Sequence, residues 1–520
     1  MSTTRQELIG KQIYSYRYYL VLAGAVTYVC RRIYRGFFTI PKKFQHIPAI
    51  TFWDIWRSLA TKEQLTDRTK RLVFPLLEKG NGIYMNKFPF DWTLYVANPI
   101  LAKTVLFKPE LASKAQAVMD YFPDESAQAQ LFGKDNLSIA NGKQWKEQRK
   151  IMNPAFHRSM PVAVFSNLMP LVFQVIEEND GNATCAIKLT KRLTLDAIGK
   201  AAFDFDFEAL KDENSVWVQK YNQAFKGFMD PIPIIYPRLD RIYRAISKTR
   251  RDCYNAAFEL IDLLDDLANQ KRKLLTEASN NKVDAPQSEK DLLTLMLEAE
   301  LNGEGSWTRQ DLRHNMALFF SAGHDTTSHS LAFCLYELAA NQDVQEKARQ
   351  ESFAVFGDEL IDVSPTLEDC KKLPYIDQII KETLRMHPPF NEINPRIAEE
   401  DLELGGTLIP KGTMVNIDIE ALHYRPDLWK NPERFDPERF AEGGEHYSQE
   451  GITWAPFSGG SRQCIGINFS MMEQRIALSM LLRKYTLMLP ENSKHKSGVI
   501  LDLPINFAPE SLEIHFVKRY

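Results

Sequence analysis

The apolar positions of this chain repeat mostly at helical spacing. The stretch "SWTRQDLRHNMALFFSAGHDTTSHSLAFCLYELAAN" is apolar nearly all round its middle, as a helix crossing a large core must be. Thr308 and Asp311 have the spacing of a capping box at its start. The helix then runs about 30 residues to Asn341, on the order of 45 Å at 1.5 Å per residue. Gly323, Asp325, Thr326 and Thr327 interrupt its apolar middle, and buried polar groups need partners or a task. "DVQEKARQESFAVFG" and "PYIDQIIKETLRMHPP" predict two further helices, the second stopped by Pro388 and Pro389. "DLELGGTLIPKGTMVNIDIEAL" breaks into short β-prone runs between Gly and Pro turns. "GINFSMMEQRIALSMLLRKY" is a last long helix, and the tail from Ser497 predicts strands around a proline turn. Gln270 to Asp291 is the most polar stretch and is expected as a surface loop. The predicted fold class is mainly α with a small β portion.

The N-terminus follows a different pattern. Tyr18 to Cys30 is an uncharged, mostly apolar run, followed by Arg31, Arg32, Arg35, Lys42 and Lys43 without an intervening acid. Extended back to Ile13 it approaches the roughly 20 residues of a spanning helix. Residues 1–37 are therefore expected to be a membrane anchor with a basic flank, and 38–520 a cytosol-facing globular unit. "IPKKFQHIPAI" is expected as the hinge between them.

Composition narrows the field. A net charge of -3 and the lack of a polybasic tail give no case for nucleic acid. The six cysteines are widely spaced, with no CxxC pair, which fits a reducing compartment. One of them, Cys464, lies in the glycine-crowded "PFSGGSRQCIGIN" just before the last helix. The helix N-terminus is expected to lower the thiol's pKa. A buried packing role is the commoner fate of a lone cysteine. A nucleophile needs a base, and spacing marks none of the ten histidines as its partner. A thiolate in a stiff loop suits an axial iron ligand better.

"FSGGSRQCIG" fits F-x-x-G-x-R-x-C-x-G throughout and resembles the haem-binding segment of the cytochrome P-450 family. Four companions follow the family's order: Trp145 and Arg149 in "WKEQR", the segment "AGHDTT", Glu382 and Arg385 in "ETLR", and "FDPERF". The resemblance covers the whole chain beyond the anchor. It implies the fold of that family, with a long central helix over haem b, and an oxidoreductase inserting one atom of O2 into a substrate.

By the same resemblance Cys464 is the axial ligand of the haem iron. Trp145, Arg149, Arg396 and Arg462 serve the haem propionates, and Phe457, Ala322 and Gly323 border the haem. Asp325 and Thr326 are the acid and alcohol that deliver protons to dioxygen, which favours reductive O2 activation over peroxide rearrangement. Glu382, Arg385 and Arg439 form a buried structural triad, with Arg434 of the duplicated "PERF" as the alternative third member. Substrate-pocket candidates are Phe225, Phe228, Phe319, Phe320, Phe390, Asn391 and Glu392, and their aromatic content implies a lipophilic ligand such as a steroid, terpenoid or fatty acid. Desaturation, C–C cleavage and haem sensing without turnover are the alternative activities. Electrons are expected from NADPH through a separate diflavin reductase, with cytochrome b5 as an auxiliary donor. Lys143, Lys146, Lys150 and Arg158 offer a basic docking face. The anchor and the resemblance together imply the endoplasmic reticulum membrane.

Overall fold

The structure is a computed structural model that describes residues 19–28, 30–32, 34, 38–87, 91–157, 160–280, 290–304, 307–501 and 511–520. The helices that position the site are α1 (Phe52–Ala60), α2 (Pro99–Phe107), α3 (Gly142–His157), α4 (Ala186–Ile198), α5 (Val216–Phe228), α6 (Lys248–Asn280), α7 (Arg309–Ala340), α8 (Pro374–Met386) and α9 (Ile467–Lys484). Strands β1 (Ile83–Lys87), β2 (Trp92–Val96), β3 (Ala112–Lys114), β4 (Arg396–Ala398) and β5 (Met414–Ile417) form one sheet. Its order is β1-β2-β5-β4-β3, with β2 and β5 parallel and the other pairs antiparallel. Mainly helical architecture with a small sheet portion is thus observed.

Helix α7 begins where its cap predicts. Thr308 Oγ1 accepts from Asp311 N at 3.1 Å, and Asp311 Oδ2 accepts from Thr308 N at 2.8 Å. The helix is unbroken through Gly323, so the glycine does not interrupt it. Its far side is stitched to α9, where Thr327 Oγ1 donates to Ser470 Oγ at 2.9 Å and Ser330 Oγ to Gln474 Oε1 at 2.7 Å. One apolar core surrounds α7 and the helices packed on it. A second lies under the sheet and holds Leu94, Val96, Val105, Leu106 and Ile417. The Cys464 segment sits where the two cores meet, with Gly459 and Gly460 on Leu106 and Phe107 of α2.

Two expectations change. "IPKKFQHIPAI" is not a free hinge: Phe44, Ile47 and Ile50 are buried in the sheet core. Pro48 O and Ile50 N exchange hydrogen bonds with Met85 N and O, at 2.8 and 2.9 Å, so this segment extends the sheet edge. The polar stretch from Gln270 continues α6 to Asn280, since its Lys, Arg, Leu, Glu and Ala residues favour helix. Lys271 pairs with Asp291 at 3.1 Å and Arg272 with Glu300 at 2.7 Å, pinning it to the next helix. The remaining expected loop, 281–289, lies outside the described residues, as do most of the expected anchor and Arg158. Among the described residues no helix is long and apolar enough to cross a membrane.

Candidate active site

Cys464 is fixed by its own loop. Its N–H donates to Phe457 O at 3.0 Å, and Gln463 N–H to Gly460 O at 3.1 Å. Gly460 has φ +67°, and a Cβ there would stand 2.5 Å from Leu106 O, so this position requires glycine. The sulfur residue is open to a solvent probe although protein surrounds it, as is Ala322 in the middle of α7. Cys464 therefore lines an internal cavity, and Ala322 is likewise uncovered in the middle of α7. The expected drop in thiol pKa is not found. Burial pushes the Cys464 thiol up, and the Gly466 N–H and Arg149 act the other way without prevailing. A partner cation bonded to sulfur is what such a thiolate needs.

Cations gather beside this cavity. The Arg462 guanidinium lies 4.0 Å from the centre of the Trp145 ring and donates to Asn141 Oδ1 at 3.1 Å. Arg396 on β4 donates from Nη1 to Val105 O at 2.9 Å. Its Nε and Nη2, and Nη1 of Arg462, are buried without a protein acceptor. Burial lowers both guanidiniums to about 10, with Arg396 and Arg149 adding to the effect on Arg462. Buried N–H donors without acceptors are costly, and fixed guanidiniums match carboxylates. The orphaned nitrogens therefore fit the two propionates of haem, and Cys464 fits its iron. Arg149 instead braces the sulfur loop, donating to Gln463 O at 3.2 Å. Phe457 lies beside the loop, 6.0 Å from the Trp454 ring.

Lys114 joins this group, which sequence reasoning missed. It is buried at the end of β3, paired in register with Arg396, and donates from Nζ to Asn394 O at 3.4 Å. Burial, with Arg396 and Arg462 nearby, lowers its ammonium to about 7. No local pattern marks it, because only strand pairing brings it to Arg396.

On the distal side, Thr326 Oγ1 donates back to Ala322 O at 2.9 Å, the helix-internal bond open to any mid-helix threonine. Its oxygen remains half-exposed and keeps lone pairs for another donor. Asp325 points away from Thr326, toward α4 and α5. The Tyr221 hydroxyl donates to Asp325 Oδ2, Lys191 Nζ lies 3.2 Å from Oδ1, and His324 Nε2 lies 3.7 Å from it. Burial opposes the Asp325 charge. His324, Lys191, His329 and the Tyr221 hydroxyl outweigh it, so the carboxyl lies below its ordinary range. Burial keeps His329 neutral down to about 4 and also lowers His324. Tyr221 was not singled out from sequence, and its spacing carries no signal. Gly323 is corrected: a Cβ there would meet Ile198 of α4 at 2.8 Å, so its smallness serves helix packing and not the cavity.

The expected triad is assembled. Arg385 Nε and Nη2 bind Glu382 Oε2 and Oε1 at 2.7 and 2.9 Å. Arg439 Nε reaches Glu382 Oε1 at 3.3 Å, which selects Arg439; Arg434 contributes its carbonyl to Arg439 Nη2. Among the substrate candidates, Phe320 is corrected, being fully buried against Phe207, Trp217 and Tyr221 as core. Phe319 stacks on Phe156 and Phe228 tilts against Phe132, both nearly buried. Phe225 is half-buried on Tyr221, and Phe390 is exposed. Asn391 gives its carbonyl to Ile419 N at 2.9 Å, while Glu392 is held by Tyr95 and Asn416.

Residues 52–503 match the family model of cytochrome P-450. Similar curated proteins include a taurochenodeoxycholic 6 alpha-hydroxylase of Sus scrofa, 30% identical over 391 residues, covering 71% of this chain and 75% of that protein. Cytochrome P-450 4A11 of Homo sapiens is 31% identical over 367 residues, 68% of each chain. Cytochrome P-450 4d2 of Drosophila melanogaster is 30% identical over 384 residues, 71% of this chain and 75% of the relative. A cysteine loop facing a long helix, with unpaired guanidiniums beside the cavity, agrees with a match across most of the chain: the protein belongs to the cytochrome P-450 family of haem-thiolate monooxygenases.

Proposed function

We propose that this protein hydroxylates a lipophilic substrate, such as a steroid, terpenoid or fatty acid, using O2 and electrons drawn from NADPH by a separate diflavin reductase, with cytochrome b5 as an auxiliary donor. What supports this reading is that Cys464, Ala322 and Thr326 are uncovered inside the protein, and that Arg396 and Arg462 keep orphaned N–H groups near the Cys464 loop. Cys464 would supply the thiolate that holds the haem iron, and Arg396, Arg462, Trp145 and Lys114 would hold the propionates. When bound, haem supplies the iron at which dioxygen is activated. Asp325 exchanges protons on the side of Lys191 and Tyr221, and Thr326 Oγ1 offers a hydroxyl on the side of Ala322; the two side chains do not touch, so a proton passing between them needs an intervening water. Glu382, Arg385 and Arg439 keep the Cys464 scaffold in register. The Sus scrofa relative, whose name describes hydroxylation of a taurochenodeoxycholic substrate, supports a lipid-like ligand.

The location that goes with this activity is the endoplasmic reticulum membrane, with the globular unit facing the cytosol. It rests on the apolar run from Tyr18 to Cys30 and the basic residues after it. The test is turnover of the purified protein with reductase, NADPH and isotopically labelled O2. One labelled atom in the product is expected. In Cys464→Ser the red-shifted ferrous–CO band should vanish; its retention removes Cys464 as the ligand.

A further inference from the structure

The buried triad and the Cys464 loop are far apart in sequence, and one histidine joins them. His423 lies on a short helical turn, Ile419–Tyr424, and is fully buried. Both of its ring nitrogens are used. Nδ1 is 2.9 Å from Arg385 O, and Nε2 is 3.0 Å from Ala455 N. A carbonyl oxygen only accepts and a backbone N–H only donates. The proton is therefore on Nδ1, and Nε2 is the acceptor. Arg385 returns a bond of its own, from Nη1 to His423 O at 2.8 Å. Burial and the Arg385 guanidinium lower the ring to about 3, outweighing the bond to Arg385 O, so it stays neutral.

From Ala455 the contacts lead on to the sulfur residue. Ala455 O accepts from Ser458 N at 3.0 Å, which closes the turn 455–458. Ser458 takes a left-handed φ of +61°, which a residue other than glycine keeps only when its surroundings hold it. Within that turn Phe457 O receives the Cys464 N–H at 3.0 Å. The triad's guanidiniums bind carbonyls of His423, Asn431, Pro432 and Arg434, none of them in the sulfur loop. Ala455 is buried, so without His423 its N–H would be left with neither acceptor nor water.

We propose that His423 is a positioning residue for the Cys464 sulfur: it ties the turn that receives the Cys464 amide to the backbone of the triad's Arg385. This rests on the haem-thiolate reading above and adds a residue to it. Trp454 Nε1 gives the chain before the turn a second tether, to Lys381 O at 3.1 Å, which changes at His423 leave in place.

The experiment compares His423→Asn and His423→Gln in the haem-loaded full-length protein. Asn places an amide N–H near the site of Nδ1 and keeps the Arg385 end. Gln places an amide oxygen near the site of Nε2 and keeps the Ala455 end. Each loses one buried hydrogen bond, so both should lower the thermal midpoint to a similar degree. Only Asn leaves the Ala455 N–H without an acceptor. Its red-shifted ferrous–CO band should convert to the unshifted one roughly tenfold faster than in wild type, while Gln stays within about twofold. An Asn variant that keeps the band as long as wild type, or a Gln variant that loses it as fast as Asn, overturns the inference. So do band lifetimes that merely follow the thermal midpoint. Amide hydrogen exchange in wild type, read at single residues, holds even where a variant does not fold. Ala455 and Cys464 should exchange slowly and together; an Ala455 amide exchanging as fast as open chain overturns the inference. The haem-thiolate reading fails on a different result, the absence of the red-shifted band in wild type, and takes this inference with it.

Discussion

Lys114 is a buried cation whose surroundings disfavour its charge. Its ammonium is lowered to about 7 because protein and two guanidiniums surround it without a carboxylate. An unfolded lysine keeps its proton to about 10.4. Between these values the unfolded chain holds more protons, so the cofactor-free fold gains stability as pH rises. A bound propionate reverses this by favouring the charged form. The holoprotein should then lose haem faster as pH rises from 7 to 10, while Lys114→Met loses it several-fold faster at pH 7 and with little pH dependence. Haem transfer to an excess of an apoglobin acceptor measures both; equal, parallel rates would remove Lys114 from the site. Cys464 and Arg462 were legible as candidates because the F-x-x-G-x-R-x-C-x-G spacing marks them, and Arg396 from its place after the E-x-x-R helix. Lys114 and Tyr221 were not, because strand pairing and helix docking alone bring them to the site. Gly323 was misread for a related reason. A motif gives a position on the helix, but which neighbour occupies that face is decided by α4.

At the level of elements, caps and breakers were good guides, and polarity was a poor one. Thr308 and Asn341 bracketed α7 to within a residue, and Pro388 ended α8 near its true limit. The polar run after Gln270 looked like a loop because helix faces stabilised by ion pairs have no apolar stripe. What the pattern could not show is that α5 and α7 are joined through a buried acid. The Tyr221 hydroxyl ties α5 to Asp325, and Lys191 adds α4 to the same carboxylate. Removing the Tyr221 donor withdraws a hydrogen bond that favours the ionised form, so the Asp325 pKa should rise. Tyr221→Phe should bind haem and substrate as wild type does. The acidic limb of its turnover–pH profile should move upward, with more reducing equivalents lost as peroxide. Product and peroxide assayed across pH would detect this; an unmoved profile would show that Tyr221 only packs.

For the molecule as a whole, the question is how the globular unit meets a surface. The sheet core draws in Phe44, Ile47 and Ile50, so the chain leaving the N-terminal segment is held against β1. Helix α1 follows at once. Its capping box at Thr51 fixes its start, and Ile55 and Ser58 turn inward. Trp53 and Trp56 stay 61% and 56% exposed on the opposite side. Their rings continue a contact chain from Phe38 and Phe52, at 4.6 to 6.3 Å between centroids. Exposed tryptophans on a short amphipathic helix belong at a lipid–water boundary, where the ring body is apolar and the N–H is wet. On the membrane location proposed above, attachment has two parts, the N-terminal segment and the α1 face, and a surface helix alone binds reversibly. Deleting residues 1–37 should therefore weaken flotation with phospholipid vesicles without abolishing it. Adding Trp53→Ser and Trp56→Ser to that deletion should release the protein fully, while in the full-length chain the same pair should have little effect. Serine at these exposed positions removes only contacts among the surface rings and none in the core, so the ferrous–CO band should stay intact in every form. Complete release by the deletion alone would confine attachment to the N-terminal segment and leave the α1 tryptophans without a role at the membrane.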